Sequence, residues 1–303
     1  MEGIDAGLPA AAVERLWPGR QAQVTALSGG ITNRNYRVDV DGASYVLRVG
    51  GNDTGLLGID RGVEHAASLR AASVGVGPQV IGFVEPEGWL VTRFIDGRPI
   101  PPEEVRTPGG IARVAAVLRK IHGAAAIPGH FDAHEVVEEY RREAIAKGVS
   151  IPPEFAAAKE ASERIRNARG SQLLVPCHND LLNANFLDDG EIRIVDWEYA
   201  GMGDRFFDLA NLSVNHEFEE EEDRLLLAAY FGVERPADLG ALRLMRVMSD
   251  FREAMWGVLQ SGISELDFNF KEYASKHFTR LTTAAMAPEF ARYLQAVRDT
   301  GQG

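Results

Sequence analysis

Three oxygen-bearing side chains fall close together in one passage of the sequence. Asp180, Asn185 and Asp196 all lie within LLVPCHNDLLNANFLDDGEIRIVDW, residues 173–197. Two apolar segments, 185–187 and 192–195, flank Asp188-Asp189-Gly190, a pattern that predicts a β-hairpin. The hairpin would set Asn185 at the entry of one arm and Asp196 at the exit of the other, with Asp180 in the loop leading in. That arrangement suits phosphoryl transfer. Mg2+ is a hard ion with an octahedral shell of oxygen ligands, and Asn185 and Asp196 can supply two of them. A separate carboxylate, Asp180, would orient an attacking hydroxyl and receive its proton. Singly, each residue is also an ordinary turn former. The spacing around a hairpin is what points to chemistry.

These residues must be carried by a sizeable fold. The chain has 303 residues, 45% of them apolar and 25% charged, enough for a large core and two lobes. The net charge of −12 argues against nucleic acid or an anionic membrane as partner, but not against a nucleotide held in a locally basic cleft. One cysteine, Cys177, excludes an internal disulfide framework. The amino-terminal residues lack the pattern of a signal peptide, and no apolar run approaches the ~20 residues of a membrane helix. The expectation is a cytoplasmic protein.

A short helix is predicted over 10–17. Strand-like QAQVTAL then runs into the polar turn Ser28-Gly29-Gly30-Ile31-Thr32-Asn33. Tyr36, Val38 and Val40, the hairpin signal Asp41-Gly42, and Tyr45, Leu47 and Val49 continue an antiparallel sheet. Asp60 caps a predicted helix that ends at GVGP, and strands near 79–84 and 89–94 follow. Beyond Asp96-Gly97 the pattern becomes helical: a helix around 111–121, then 133–147, 153–168, one continuing from the acidic run EFEEEEDR through LLLAAY, 238–260, and a last one near 271–295. The expected fold class is α+β, with a smaller amino-terminal lobe over 1–93, a larger helical lobe over 94–303, and a hinge near 92–97.

The passage HNDLLNAN, 178–185, resembles the catalytic loop of the aminoglycoside phosphotransferase and choline kinase superfamily, whose fold is protein-kinase-like. IVDWE, 194–198, resembles its metal-binding segment. Asp208, within 204–210, matches the carboxylate that buttresses the catalytic loop. The resemblance implies Mg-ATP as phosphoryl donor. It makes Ser28, Gly29, Gly30, Thr32 and Asn33 the loop over the phosphates, glycines allowing close backbone approach. Arg48 takes the place of the phosphate-contacting basic residue, Glu64 that of the helix glutamate holding it, and Thr92, Phe94 and Ile95 that of the hinge at the adenine.

Residues 251–270 resemble the late helix of choline and ethanolamine kinases, including the spacing of Trp256 and Gln260. The resemblance implies a small amino alcohol as acceptor, choline or ethanolamine, met by Asp180, Glu198, Tyr199, Glu253 and Trp256. A quaternary ammonium donates no hydrogen bonds, so aromatic faces such as Tyr199 and Trp256 would attract it. Two positions depart from the family pattern: Glu253 stands where a second Trp is usual, and Asn215 where an acidic residue is usual. Glu253 could bind a primary ammonium or face solvent. Aminoglycoside, thiamine and homoserine kinases of the superfamily remain alternatives, as does a nucleotide-binding pseudokinase. A metal-dependent hydrolase lacks its usual His-rich ligand spacing. Monomer and homodimer are both compatible with the sequence.

Overall fold

A computed structural model describes residues 7–27, 33–51, 54–233 and 235–299. Helix α1 (Gly7–Leu16) leads into strands β1 (Ala22–Leu27), β2 (Asn33–Val40) and β3 (Ala43–Gly50). The β2–β3 turn is Asp41-Gly42, both at positive φ, the conformation that a tight two-residue hairpin requires. Helix α2 (Arg61–Ser73) begins where the Asp60 side chain accepts hydrogen bonds from the backbone N–H of Gly62 and Val63. Strands β4 (Val80–Val84) and β5 (Trp89–Arg93) complete an antiparallel sheet in the order β1-β2-β3-β5-β4. Alternation along β2 and β3 turns Tyr36, Val38, Leu47 and Val49 inward against Val91 and α1.

The second lobe is mainly helical. It runs through β6 (Arg98–Pro99), α3 (Pro102–Val105), α4 (Pro108–His122), α5 (Ala133–Ala146) and α6 (Glu154–Arg169). Then come β7 (Leu174–Cys177), β8 (Phe186–Asp188), β9 (Ile192–Ile194) and β10 (Gly201–Asp204). Helices α7 (Arg205–Asn215), α8 (Glu220–Phe231), α9 (Pro236–Ile263), α10 (Phe270–Met286) and α11 (Pro288–Arg298) close the chain. Helix α9 is the spine, packed against α5, α6, α7, α8, α10 and α11. Its stripe of Leu244, Met248, Phe251, Met255 and Leu259 is fully buried, as the helical spacing predicts. The two-lobed, α+β, kinase-like architecture agrees with the expectation.

The carboxy-terminal helix does not. The single helix expected near 271–295 is two, α10 and α11. Ala287, before Pro288, takes an extended conformation (φ −66°, ψ 144°), because a proline ring crowds the helical conformation of the residue before it. Among the described residues no helix is long and apolar enough to cross a membrane.

Candidate active site

The predicted hairpin forms, with β8 paired antiparallel to β9. Asn185 ends the 3₁₀ turn just before β8, and its backbone oxygen accepts from Val195 N–H at 3.0 Å, closing the open end. Asp196, the next residue, and Asn179 both lie at positive φ (69° and 66°), a sparsely populated conformation concentrated at functional sites. Asp208 holds the loop from beneath: its carboxylate accepts from the backbone N–H of His178 (2.8 Å) and of Asn179 (2.7 Å). His178 accepts from Asp180 N–H through Nδ1 at 3.2 Å, so its Nε2 carries the proton given to Val195 O at 2.9 Å. Asn185 Nδ2 donates to Asp180 O at 2.9 Å, which orients the amide and leaves its Oδ1 as the atom to serve a ligand.

Asp180 is 8% exposed. Burial pushes its carboxyl up to about 7; Arg252 opposes this, while Glu253, Asp196 and Glu198 add to it. The neighbouring carboxylate, Asp196, accepts instead from Arg48 Nη1 at 2.6 Å. The same Nη1 donates to Glu64 Oε1 at 2.7 Å, and Glu64 is 1% exposed. Burial pulls the Arg48 pKa down, but Asp196, Glu64 and Glu198 more than reverse this and leave it raised. Arg61, which the sequence reading overlooked, extends the network. It donates to Glu64 Oε2 at 2.6 Å, to Asn33 Oδ1 at 2.8 Å and to Glu198 Oε2 at 3.4 Å. Asn33 Nδ2 in turn donates to Glu198 Oε2 at 2.7 Å. Asn33 and Glu198, assigned above to the nucleotide and to the acceptor, therefore bind each other across the lobes. The place of Arg61, three residues before Glu64 on one helix, signals that local pair but not its reach to Asn33 and Glu198.

A cavity of about 420 Å3 between the lobes is lined by Arg48, Thr92, Phe94, Ile95, Asn185 and Asp196, among others. This groups the expected hinge residues with the expected metal-binding pair. Ser28, Gly29, Gly30 and Thr32 lie outside the described residues.

Glu198 and Tyr199 line a second cavity of about 280 Å3 together with Tyr140, Glu139, Asp60 and His130, among others. Its acids and phenol rings suit a small cation. Trp256 Nε1 donates to the Tyr199 hydroxyl at 3.2 Å, so the two expected aromatic residues do meet. Glu253 does not face solvent: it is 3% exposed, accepts from the Tyr273 hydroxyl at 2.7 Å, and is paired with Arg252. Burial would raise its pKa, but Arg252 and Tyr273 hold it below the usual range. Arg252, also overlooked in the sequence, lies over the Tyr199 ring at 4.3 Å and donates to Asp180 Oδ1 at 3.2 Å. Its neighbour Glu253 was noticed because it broke a family pattern; Arg252 broke none. Asn215, the other departure, donates weakly to Leu181 O and to Asn211 Oδ1.

Known proteins resemble this chain in sequence and fold. The profile of the Phosphotransferase enzyme family matches residues 23–245. A choline/ethanolamine kinase family protein from Mesorhizobium loti, known from its crystal structure, is 34% identical. The match covers 96% of this chain and 99% of that one, with a TM-score of 0.82. Human ethanolamine kinase 2 is 27% identical over 303 residues, covering 87% of this chain and 76% of the kinase. Protein LicA of Haemophilus influenzae is 25% identical over 212 residues, 67% of this chain, and the match spans 61% of LicA's own length. With a family profile over most of its length, and a relative of this identity over nearly all of both chains, the chain belongs to the phosphotransferase enzyme family and, within it, to the choline/ethanolamine kinase family.

Proposed function

We propose that this chain moves the γ-phosphoryl group of Mg-ATP to the hydroxyl of a small amino alcohol. The observation that carries this reading is the placement of Asp180. Its backbone oxygen accepts from Asn185 of the interlobe cavity, and its carboxylate accepts from Arg252, which lies over the ring of Tyr199 of the acid- and tyrosine-lined cavity. In this reading the nucleotide occupies the larger cavity, its adenine against 92–97, where the lobes would hinge. Arg48, held by Glu64, binds its phosphates. The donor set fits a hard ion: the Asp196 carboxylate and the Asn185 amide oxygen would hold Mg2+, which when bound neutralises charge on the phosphates. Asp180 orients the acceptor hydroxyl and takes its proton as the oxygen bonds to the γ-phosphorus. The bond from that phosphorus to the β,γ-bridging oxygen breaks, and ADP leaves with the electron pair. Buried near pH 7 in proton affinity, Asp180 is matched to that task.

Of the two family acceptors, the surroundings of Tyr199 favour a primary ammonium over choline. One face of the ring already carries the Arg252 guanidinium and is closed to a quaternary ammonium, which can be held only by aromatic faces and unpaired charge. A primary ammonium can instead donate hydrogen bonds to carboxylates. The test is phosphomonoester formation from ATP with ethanolamine, choline, their methylated intermediates, thiamine and an aminoglycoside, with Asp180→Asn as control. Ethanolamine should lead. Turnover of the aminoglycoside alone would reject the acceptor class, and nucleotide binding with no transfer to any hydroxyl would make the chain a pseudokinase.

A further inference from the structure

Arg252 is a buried charge with unmet hydrogen-bonding capacity. It is 2% exposed, deep on α9, and surrounded by Tyr140, Tyr199, Asp180 and Glu253. Nη1 donates to Asp180 Oδ1 and Glu253 Oε1, and the Tyr140 hydroxyl lies close beside the guanidinium. The other two nitrogens, Nε and Nη2, are buried without a hydrogen-bond partner among the described residues. They form one edge of the planar guanidinium, the edge whose two parallel N–H groups match the oxygens of a carboxylate. A buried charged donor left unpaired is costly, and in a native site it calls for a ligand or a trapped water.

The anions already present do not answer the need. Glu253 is engaged by Nη1 and by the Tyr273 hydroxyl. Asp180 faces the acceptor hydroxyl in the reading above, on which this inference rests. We propose that Arg252 reads a carboxylate on the acceptor, so that the amino alcohol phosphorylated here is a small hydroxy amino acid. The hydroxyl would lie at Asp180 and the carboxylate on the open edge of Arg252. Because one guanidinium spans both, the two groups are separated by only a few bonds, as in serine or homoserine. The ammonium falls to the acids on the same side of the cleft. The chemistry of transfer is unchanged: the side-chain oxygen becomes phosphorylated and ADP is released.

Matched acceptors test this. Serine and ethanolamine differ only in the carboxylate, and so do homoserine and 3-aminopropanol. With the full chain, kcat/KM for phosphorylation and equilibrium binding beside Mg and a non-hydrolysable ATP analogue are measured for each pair. The carboxylate-bearing member of at least one pair should be preferred by about 100-fold, since a site with buried donors discriminates strongly against a ligand lacking their acceptor. Arg252→Gln should bring that ratio near unity whatever it does to overall rate. Arg252→Lys keeps the charge but not the fork, and should lose most of the preference even if the glutamine variant fails to fold. Ethanolamine used in preference to serine, with homoserine no better than 3-aminopropanol, overturns the inference while the phosphotransferase reading stands. Binding of neither carboxylate overturns it too, the open edge then holding water only. Preferential binding without phosphorylation of any acceptor supports the carboxylate site and rejects the phosphotransferase reading.

Discussion

Asp180 and Asp196 are carboxylates at the two ends of one small region, yet their partners differ. Asp180 is held by the buried Arg252 of α9, while Asp196 is held by Arg48 of the interlobe cavity. The division predicts two different defects. Asp180→Asn keeps the shape and the backbone bond to Asn185 but cannot take a proton. Turnover should fall by about 10²–10⁴-fold, the usual contribution of general base catalysis, with ATP affinity nearly unchanged. Asp196→Ala removes an oxygen ligand and one partner of Arg48, so Mg-nucleotide affinity itself should fall. Titration with ATP and single-turnover rates separate the two; equal loss of ATP binding in both variants would end this division of labour. Trp256 gives a milder case. Its indole donates to Tyr199 and packs edge-on against Phe270 and Tyr273, so its role is to set the Tyr199 ring. Trp256→Phe keeps the packing and loses one hydrogen bond. It should raise the acceptor KM by a few-fold to roughly tenfold while leaving the ATP KM in place.

At the level of elements, α2 shows how local sequence positions a charge. Its Asp60 cap fixes where the helix starts, and that start sets Arg61 and Glu64 on the side facing Arg48. Asp60→Ala should cost about 1 kcal/mol of stability, the usual worth of an N-cap, and raise the ATP KM as Glu64 loses its register. Asp60→Asn, an equally good cap, should restore both; failure of that rescue in thermal melts would mean that the Asp60 charge, not the cap, matters. Features of this kind were legible in the sequence because they are local. Asp41-Gly42, the Asp188–Gly190 turn, the Asp60 cap and the stripe on α9 each declare themselves within a few residues. The break before Pro288 was equally local and could be read: the buried positions of α10 (Phe270, Ala274, Phe278, Leu281) and of α11 (Phe290, Leu294, Val297) do not fall on one helical face. Arg61 and Arg252 were not legible. Each is an unremarkable helical arginine until the fold brings Glu198 or Asp180 to it from far along the chain, and spacing carries no sign of a tertiary partner. The family resemblance named Glu198 and Asn33 separately, but only the fold shows that they bind one another.

Across the whole molecule, α2 belongs to both lobes. Ala67 and Ala71 are buried in the same core as the helices of the large lobe, while Glu64 holds an arginine of the amino-terminal sheet. Arg61 completes the join by reaching Asn33 on β2 and Glu198 beyond the catalytic hairpin. The lobes therefore meet through shared apolar packing and through a nearly buried set of charges, in which Arg61 is shared between the acids Glu64 and Glu198. Arg61→Met tests how strongly this network couples them. Removing one partner from a buried ionic cluster leaves uncompensated charge, so the loss should be about 3 kcal/mol or more. Arg98, paired with Glu104 at the surface, is the control: Arg98→Ala should leave stability unchanged, because solvent screens an exposed pair. Urea denaturation followed by both tryptophan fluorescence and circular dichroism makes the measurement. The wild-type chain should give one coincident transition by the two probes, as expected when both lobes share a helix. Arg61→Met should lower its midpoint and separate the two signals, the fluorescence becoming biphasic as Trp17 and Trp89 at the sheet lose their packing before Trp197 and Trp256. A lowered midpoint with the probes still coincident would mean that the apolar packing of α2, and not the charge network, joins the lobes.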